Sequence, residues 1–142
     1  MINYNKNKLD KAGRKHRLKF VILHGSVATG KNRQDSDLDI AVLGRQEVGL
    51  DKLMKMHGDF EEIFMKNQAG QFTDLDLKPL NRVDPFFRYE VIRDGQLLYG
   101  NATEFEEYKA YAFRDFMDSQ DLRQLERRLI EKSRQHFKKY VK

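Results

Sequence analysis

Between Leu23 and Val42 the chain reads LHGSVATGKNRQDSDLDIAV. On its left, Lys19 to His24 (KFVILH) is a short apolar, β-branched run stopped by Gly25, the pattern of a buried strand. On its right, Asp37 to Leu43 alternates. Leu38, Ile40 and Val42 fall on one face, Asp37, Asp39 and Ala41 on the other, which predicts a second strand. Asp37 and Asp39 therefore project from the same face of that strand. Carboxylates so placed repel each other unless a cation lies between them. Hard oxygen ligands of this kind suit Mg²⁺, which completes its shell with waters and phosphate oxygens.

Upstream, Gly25 lets the chain turn tightly and brings backbone N–H groups close to an anion, and Ser26 adds a hydroxyl donor. A short helix expected near Val27 turns its positive end the same way. Residues 31–36 (KNRQDS) form a polar loop between the two strands. Phe72 to Leu77 (FTDLDL) alternates as a third strand and offers Asp74 and Asp76 as a further carboxylate. Phosphate-holding donors facing carboxylate-held metals describe a phosphoryl-type transfer site. There, metals activate the attacking oxygen and stabilise the leaving pyrophosphate.

Around this centre the elements are those of a small α+β domain. Residues 1–17 predict a short helix with a loose start. Residues 49–67 place Leu50, Leu53, Met54, His57, Phe60, Ile63 and Phe64 at helical steps. Asp84-Pro85 is an N-cap followed by proline at the first helical position, and Gly95 closes that helix. Gln96 to Tyr99 adds a short strand. Thr103 with Glu106 reads as a capping box opening a helix to about Met117. Asp121 starts another, with Leu122, Leu125, Leu129, Phe137 and Tyr140 on its apolar side. His24 and His57 read as packed, hydrogen-bonded residues, and His16 and His136 as surface ones. Phe86, Phe87, Tyr89 and the aromatic stripe of residues 105–116 read first as core. The Tyr108–Phe116 stretch is alternatively a partner-binding surface.

The chain has 142 residues, 39% of them apolar, with 10 Phe and 6 Tyr, enough for one real core. Without cysteine it has no disulfide framework, thiolate zinc site or Cys nucleophile. No apolar run approaches a membrane span and no apolar h-region follows the N-terminus, so a cytoplasmic protein is expected. The net charge of +5 is unevenly spread. Residues 1–36 carry +7, residues 121–142 carry +5, and the middle carries −7. That acidic waist needs more than a general liking for nucleic acid.

Gly25-Ser26, ten residues and then Asp37-Leu38-Asp39 resembles the GS-x10-DxD motif of the DNA polymerase β-like nucleotidyltransferases. The likeness is closest to the minimal nucleotidyltransferase (MNT) branch. It continues through Asp76-Leu77, Leu80-Asn81 and DPFFRYEVIRDGQLLYG at residues 84–100. The resemblance implies a small mixed sheet flanked by helices. It implies a nucleotidyltransferase domain over residues 1–100 and a helical extension over 101–142 packed on it. It also implies Mg²⁺-dependent transfer of a nucleoside monophosphate, usually AMP from ATP, to an acceptor hydroxyl. Gly25 and Ser26 would hold the triphosphate, with Lys31 and Arg33 reaching it from the loop unless they are simply solvated. Asp37 and Asp39 would bind two Mg²⁺ ions, with Asp76 as third carboxylate helping to deprotonate the acceptor. Asp76 is preferred to Asp74 on its register with Arg88-Tyr89-Glu90-Val91. Two departures stand out. His24 replaces a commoner aromatic or aliphatic residue, and Lys78-Pro79 stand near where a second aspartate is usual.

A chain this small has no further domain to grip a primer and no stacking platform, so nucleic acid is not the expected acceptor. Small bacterial proteins of the MNT branch are typically antitoxins paired with a HEPN-domain RNase toxin, attaching AMP to a toxin tyrosine. The R-x4-H-x-Y motif of such toxins is absent here, so in a system of this kind the chain would be the antitoxin half. The alternatives are neutralisation by binding alone, or transfer to a small molecule such as an aminoglycoside.

Overall fold

Four strands and five helices make up the computed structural model, which describes residues 2–33, 36–66 and 72–140, with side chains to residue 138. Helix α1 (Lys6–Lys15) starts at Asn5, whose side chain accepts the Lys8 N–H at 3.2 Å. Strand β1 (Leu18–His24), the four-residue helix α2 (Gly25–Ala28) and strand β2 (Leu38–Gly44) follow. Helix α3 (Leu50–Phe60) runs into a π-helical turn, Glu61–Met65. Strand β3 (Leu75–Pro79), helix α4 (Pro85–Asp94), strand β4 (Gln96–Tyr99) and helix α5 (Ala102–Tyr140) complete the fold. The sheet order is β3-β2-β1-β4, with β2 parallel to β3 and the other pairs antiparallel. This is the mixed α+β sheet flanked by helices that the sequence predicts.

Both sheet faces are covered, because strand alternation feeds two apolar layers. Leu38, Ile40 and Val42 join Val21, Leu23 and Leu77 against Leu9 of α1 and Met56, Phe60 and Phe64 of the α3 side. On the other face Phe20, Ile22 and Ala41 meet Val91 and Ile92 of α4, and Phe105 and Ala112 of α5. Asp84 accepts the Phe86 N–H at 2.7 Å, so α4 begins where its Asp-Pro pair predicts. Among the described residues no helix is long and apolar enough to cross a membrane.

Several local expectations are corrected. Strand β3 starts at Leu75, because the Asp74 carboxylate turns back to accept the Leu75 N–H at 2.9 Å. It is an edge strand and ends at Pro79, which has no N–H to donate. In α3, Leu50 and Met54 are exposed while Met56 is fully buried. The π-turn then resets the phase so that Ile63 and Phe64 point inward. His57 is hydrogen-bonded as expected, with Nε2 3.1 Å from the Leu75 carbonyl, but it is not packed away: its side chain is 37% exposed, with Nδ1 3.4 Å from a Glu61 carboxylate oxygen. His16 does not lie on the surface: it is buried, with Nε2 2.7 Å from an Asp59 carboxylate oxygen, and so joins α1 to α3. His136 is exposed.

The two expected tail helices are one. Helix α5 is capped by Asn101, whose Oδ1 accepts the Glu104 N–H at 3.0 Å, so Thr103 already lies inside it. No new helix starts at Asp121: the Ser119 hydroxyl donates back to the Phe116 carbonyl at 2.8 Å and the helix continues through Asp121. Tyr89 stacks on Phe116 at 4.7 Å, and Arg88 binds Asp115 at 3.0 Å, fixing α5 to α4. The aromatic stripe is only partly core: Phe86, Tyr111 and Phe113 are nearly half exposed. Leu122, Leu125, Leu129 and Phe137 are exposed, and the Tyr140 side chain lies outside the described residues, as do Asn67 of the predicted helix and Gln34 and Asp35 of the polar loop.

Candidate functional site

At the end of β1 the chain turns at Gly25 with φ +76°, a left-handed conformation open to glycine. A Cβ at this position would run into the Asp39 carboxylate. The turn therefore needs glycine twice over, for its backbone and for the acid packed against it. Lys31 donates its N–H to the Ser26 carbonyl at 2.8 Å, and Gln96 Nε2 donates to the Ala28 carbonyl at 3.1 Å, holding α2 in place.

Sheet register sets the side chains in a row. His24 pairs with Asp39 across β1 and β2, and Asp39 pairs with Asp76 across β2 and β3. The Asp39 and Asp76 carboxylates lie within hydrogen-bond reach of each other. Burial, then the Asp76 carboxylate, pushes the Asp39 pKa up to about 6. Lys78, two residues along the same strand face, brings its ammonium to 3.5 Å from Asp76. Asp37 is exposed one residue before β2, and its charge reaches Asp39. Among the described residues no three acidic or histidine side chains close on a single point. The contact pair is Asp39–Asp76, with Asp37 further off.

Asp76, not Asp74, is the residue in register with Asp39, and the Asp74 carboxylate is turned to the Leu75 N–H. Lys31 and Arg33 are exposed on the loop after α2, and Arg33 donates its N–H to Ser36 Oγ at 2.7 Å. The donor set fits a divalent cation of the hard class. It is all oxygen, and its two touching carboxylates crowd like charge that a cation relieves.

His24 is packed as expected, 8% exposed and edge-on to Phe87 at 6.2 Å, but it is not hydrogen-bonded through Nε2. Burial, then the Lys78 ammonium, holds its pKa down to about 4, so the ring is neutral at pH 7. Lys78, beside the Asp76 carboxylate and 5.3 Å from the centre of the Phe87 ring, went unassigned from sequence. The two-residue step from Asp76 was the available signal for Lys78; Phe87 reads only as core.

Residues 7–104 match the model of the polymerase beta nucleotidyltransferase family. No curated protein matches the sequence. Among solved structures, a chain of a toxin-antitoxin with AMP-PNP superposes with a TM-score of 0.70 at 23% identity, covering 89% of this chain and 98% of that one. A chain of the complex of tri-AMPylated Shewanella oneidensis HEPN toxin with MNT antitoxin gives 0.64 at 21%, covering 89% and 95%. A chain of the toxin-antitoxin MntA-HepT gives 0.63 at 21%, covering 89% and 96%. At these identities the likeness is one of fold.

Proposed function

The chain belongs to the polymerase beta nucleotidyltransferase family, and from there we propose that it moves AMP from ATP onto a hydroxyl of a partner protein. The observation that carries this reading is the contact of Asp39 with Asp76 beside the Gly25 turn. In the reaction the acceptor oxygen forms a bond to the α-phosphorus, the bond from that phosphorus to the bridging oxygen breaks, and pyrophosphate leaves. The acceptor proton passes to Asp76. Gly25 and Ser26 present backbone N–H groups and a hydroxyl to the triphosphate, with Lys31 and Arg33 on the adjoining loop. Asp37, Asp39 and Asp76 would hold two Mg²⁺ ions, which when bound supply charge neutralisation at the attacking and leaving oxygens.

The partner we propose is a HEPN-type RNase toxin, with this chain as its cytoplasmic antitoxin. The fold likeness to chains from toxin-antitoxin complexes, one with AMP-PNP and one with a tri-AMPylated HEPN toxin, supports that choice. The exposed apolar side chains Leu125, Leu129 and Phe137 on α5 also suit a protein partner. The same surface favours a second reading, neutralisation by contact alone.

Labelled ATP, Mg²⁺ and the product of the neighbouring gene separate these readings. Label on the neighbour, lost in Asp37→Ala/Asp39→Ala together with neutralisation, is the expected result. Unlabelled neighbour with neutralisation intact in that double variant establishes the binder. Label on an aminoglycoside instead moves the acceptor to a small molecule.

A further inference from the structure

The transfer chemistry described so far leaves one charged neighbour of the carboxylates without a task. Lys78 holds its Nζ 3.5 Å from Asp76 Oδ2, and among the described residues that is its one ion pair. The same Nζ lies 5.3 Å from the centre of the Phe87 ring on α4. Its charge also reaches Asp39 and His24, the next residues of the row on β2 and β1. A carboxylate and an aromatic ring together fix where this ammonium stands. Yet the side chain is 48% exposed. An ammonium has three N–H donors, so with one turned to Asp76 others remain for a molecule that enters the site.

The order of the strands says which molecule that is. The Gly25 turn follows β1, Asp39 stands on β2, and Asp76 and Lys78 stand on β3, in the sheet order β1-β2-β3. Neighbouring strands lie about 4.8 Å apart, so β3 is about 10 Å from β1. Displacement at phosphorus runs in line, with the attacking and leaving oxygens on opposite sides. With the triphosphate on the Gly25 turn, pyrophosphate leaves on the β1 side and the acceptor oxygen arrives over β3. That strand is an edge of the sheet, so no further strand stands between Lys78 and an approaching protein. Lys78 therefore faces the acceptor, whereas Lys31 and Arg33 belong to the loop that follows the turn.

We propose that Lys78 is a catalytic residue of the acceptor side, whose ammonium donates to the acceptor oxygen as that oxygen attacks. This rests on the nucleotide-transfer reading above and adds the group that steadies negative charge on the nucleophile. The acceptor O–H bond breaks with its proton going to Asp76, the oxygen bonds to the α-phosphorus, and pyrophosphate leaves with the electron pair of the broken bond. Lys78 keeps its protons throughout and acts as a fixed donor aimed at developing charge. The placement also gives a reason for a lysine near where a second aspartate is usual. Another acid would add to the crowding of Asp39 and Asp76, whereas an ammonium relieves it.

The test pairs transfer kinetics with calorimetry on the full chain, using labelled ATP, Mg²⁺ and the product of the neighbouring gene as acceptor. Lys78→Met should lower kcat for AMP transfer about 100-fold or more, as removal of one oxyanion donor does. Lys78→Arg, which keeps the charge, should recover part of that loss. AMP-PNP should bind Lys78→Met within about twofold of wild type, because the lost contact is made only as the acceptor attacks. Mg²⁺ alone should bind Lys78→Met more tightly than wild type, a like charge beside the carboxylates having gone. Should Lys78→Met fail to fold, Lys78→Gln serves instead, with the same pattern expected. A Lys78→Met protein with wild-type kcat overturns the proposal. So does one that loses AMP-PNP affinity as far as it loses transfer, which would make Lys78 a triphosphate ligand. A variant whose sole defect is a raised KM for the acceptor, or whose Mg²⁺ affinity is unchanged, overturns it too. In each of these cases wild type still transfers AMP. Wild type that labels no acceptor defeats the transfer reading itself and the proposal with it.

Discussion

Residue 25 has no room for a side chain, because the Asp39 carboxylate occupies the space a Cβ would take. The Gly25 turn and strand β2 are thereby packed backbone to carboxylate. Gly25→Ala has to move Asp39 away from Asp76 or open the turn, and it also places alanine at φ +76°. The left-handed conformation alone costs about 1–2 kcal/mol. Displacement of a reacting group by an ångström costs about 100-fold in rate. Gly25→Ala is therefore expected to lower the urea midpoint modestly and to lose about 100-fold or more in AMP transfer. Transfer at wild-type rate would show that the turn and Asp39 are not coupled.

The Asp39–Asp76 contact sets a second expectation, with the sign fixed by the raised pKa of Asp39. A carboxylate whose folded pKa, about 6, lies above its unfolded value of 3.8 costs the fold something when ionised. That cost is absent below pH 3.8, grows through the interval and is complete above about pH 6. In EDTA at pH 7.5, Asp39→Asn should thus unfold no earlier than wild type, and at pH 3.5 the two should coincide. Millimolar Mg²⁺ should raise the Tm of wild type and leave Asp39→Asn unmoved. AMP transfer should fall further than the roughly 10–100-fold that changes behind a ligand cause. Differential scanning fluorimetry with and without Mg²⁺ reads the first two. An equal Mg²⁺ shift in both proteins would remove Asp39 from the metal site.

What could be read from residues alone divides along physical lines. The strands around Gly25 and Asp39 were legible because their alternation and stop signals are local. The start of helix α4 was legible because Asp84-Pro85 is local capping chemistry, whereas Gly95 at its end is extended and has no room for a Cβ against Ile22 of β1, a tertiary constraint. The face of α3 was not, because a π-turn breaks the 3.6-residue phase and selects Met56 over Met54. Neither was the unbroken run of α5 through Asp121, where the Ser119 hydroxyl bonds a carbonyl one turn back and the helix continues. His16 hid among lysines and arginines because its partner, Asp59, is 43 residues away. At the site, the contact of Asp39 with Asp76 needed the parallel register of β2 and β3. Spacing within one strand does not contain it.

The His16–Asp59 staple makes a pH-dependent prediction of the opposite sign. The His16 hydrogen bond, aided by Lys15, holds the Asp59 pKa below its ordinary value. A depressed carboxylate contributes stability that is fully present above the unfolded pKa and is lost as pH falls through the folded one. Asp59→Asn should therefore lose about 1–2 kcal/mol at pH 7, chiefly by leaving buried His16 poorly partnered. The gap should begin to narrow as pH falls below the ordinary carboxylate value of 3.8 and go on narrowing as the folded Asp59, held below that value, takes up its proton. Urea unfolding at pH 7 and pH 3 measures both ends. A gap that stays constant over that range would mean the carboxylate charge contributes nothing to the staple.

The distal part of α5 separates stability from partner binding. Arg123 lies over the rings of Phe86 and Phe116, at 5.5 and 5.3 Å, and is an anchor of α5 to α4. Farther along, Leu125, Leu129 and Phe137 are more than half exposed, so they contribute little to the fold. Leu125→Gln/Leu129→Gln keeps helix propensity and charge while removing apolar surface. Away from packed features such changes stay within about 0.5 kcal/mol, so the Tm should barely move. If the partner sits on this stripe, its affinity should drop by at least about tenfold, as loss of apolar anchors at an interface does. AMP transfer to the partner should fall through a raised KM, with kcat retained, because the Asp39–Asp76 pair is untouched. Titration of the purified partner against both proteins, with transfer kinetics alongside, checks each part. Undiminished affinity would shift the partner to the half-exposed Tyr111 and Phe113 nearer the core.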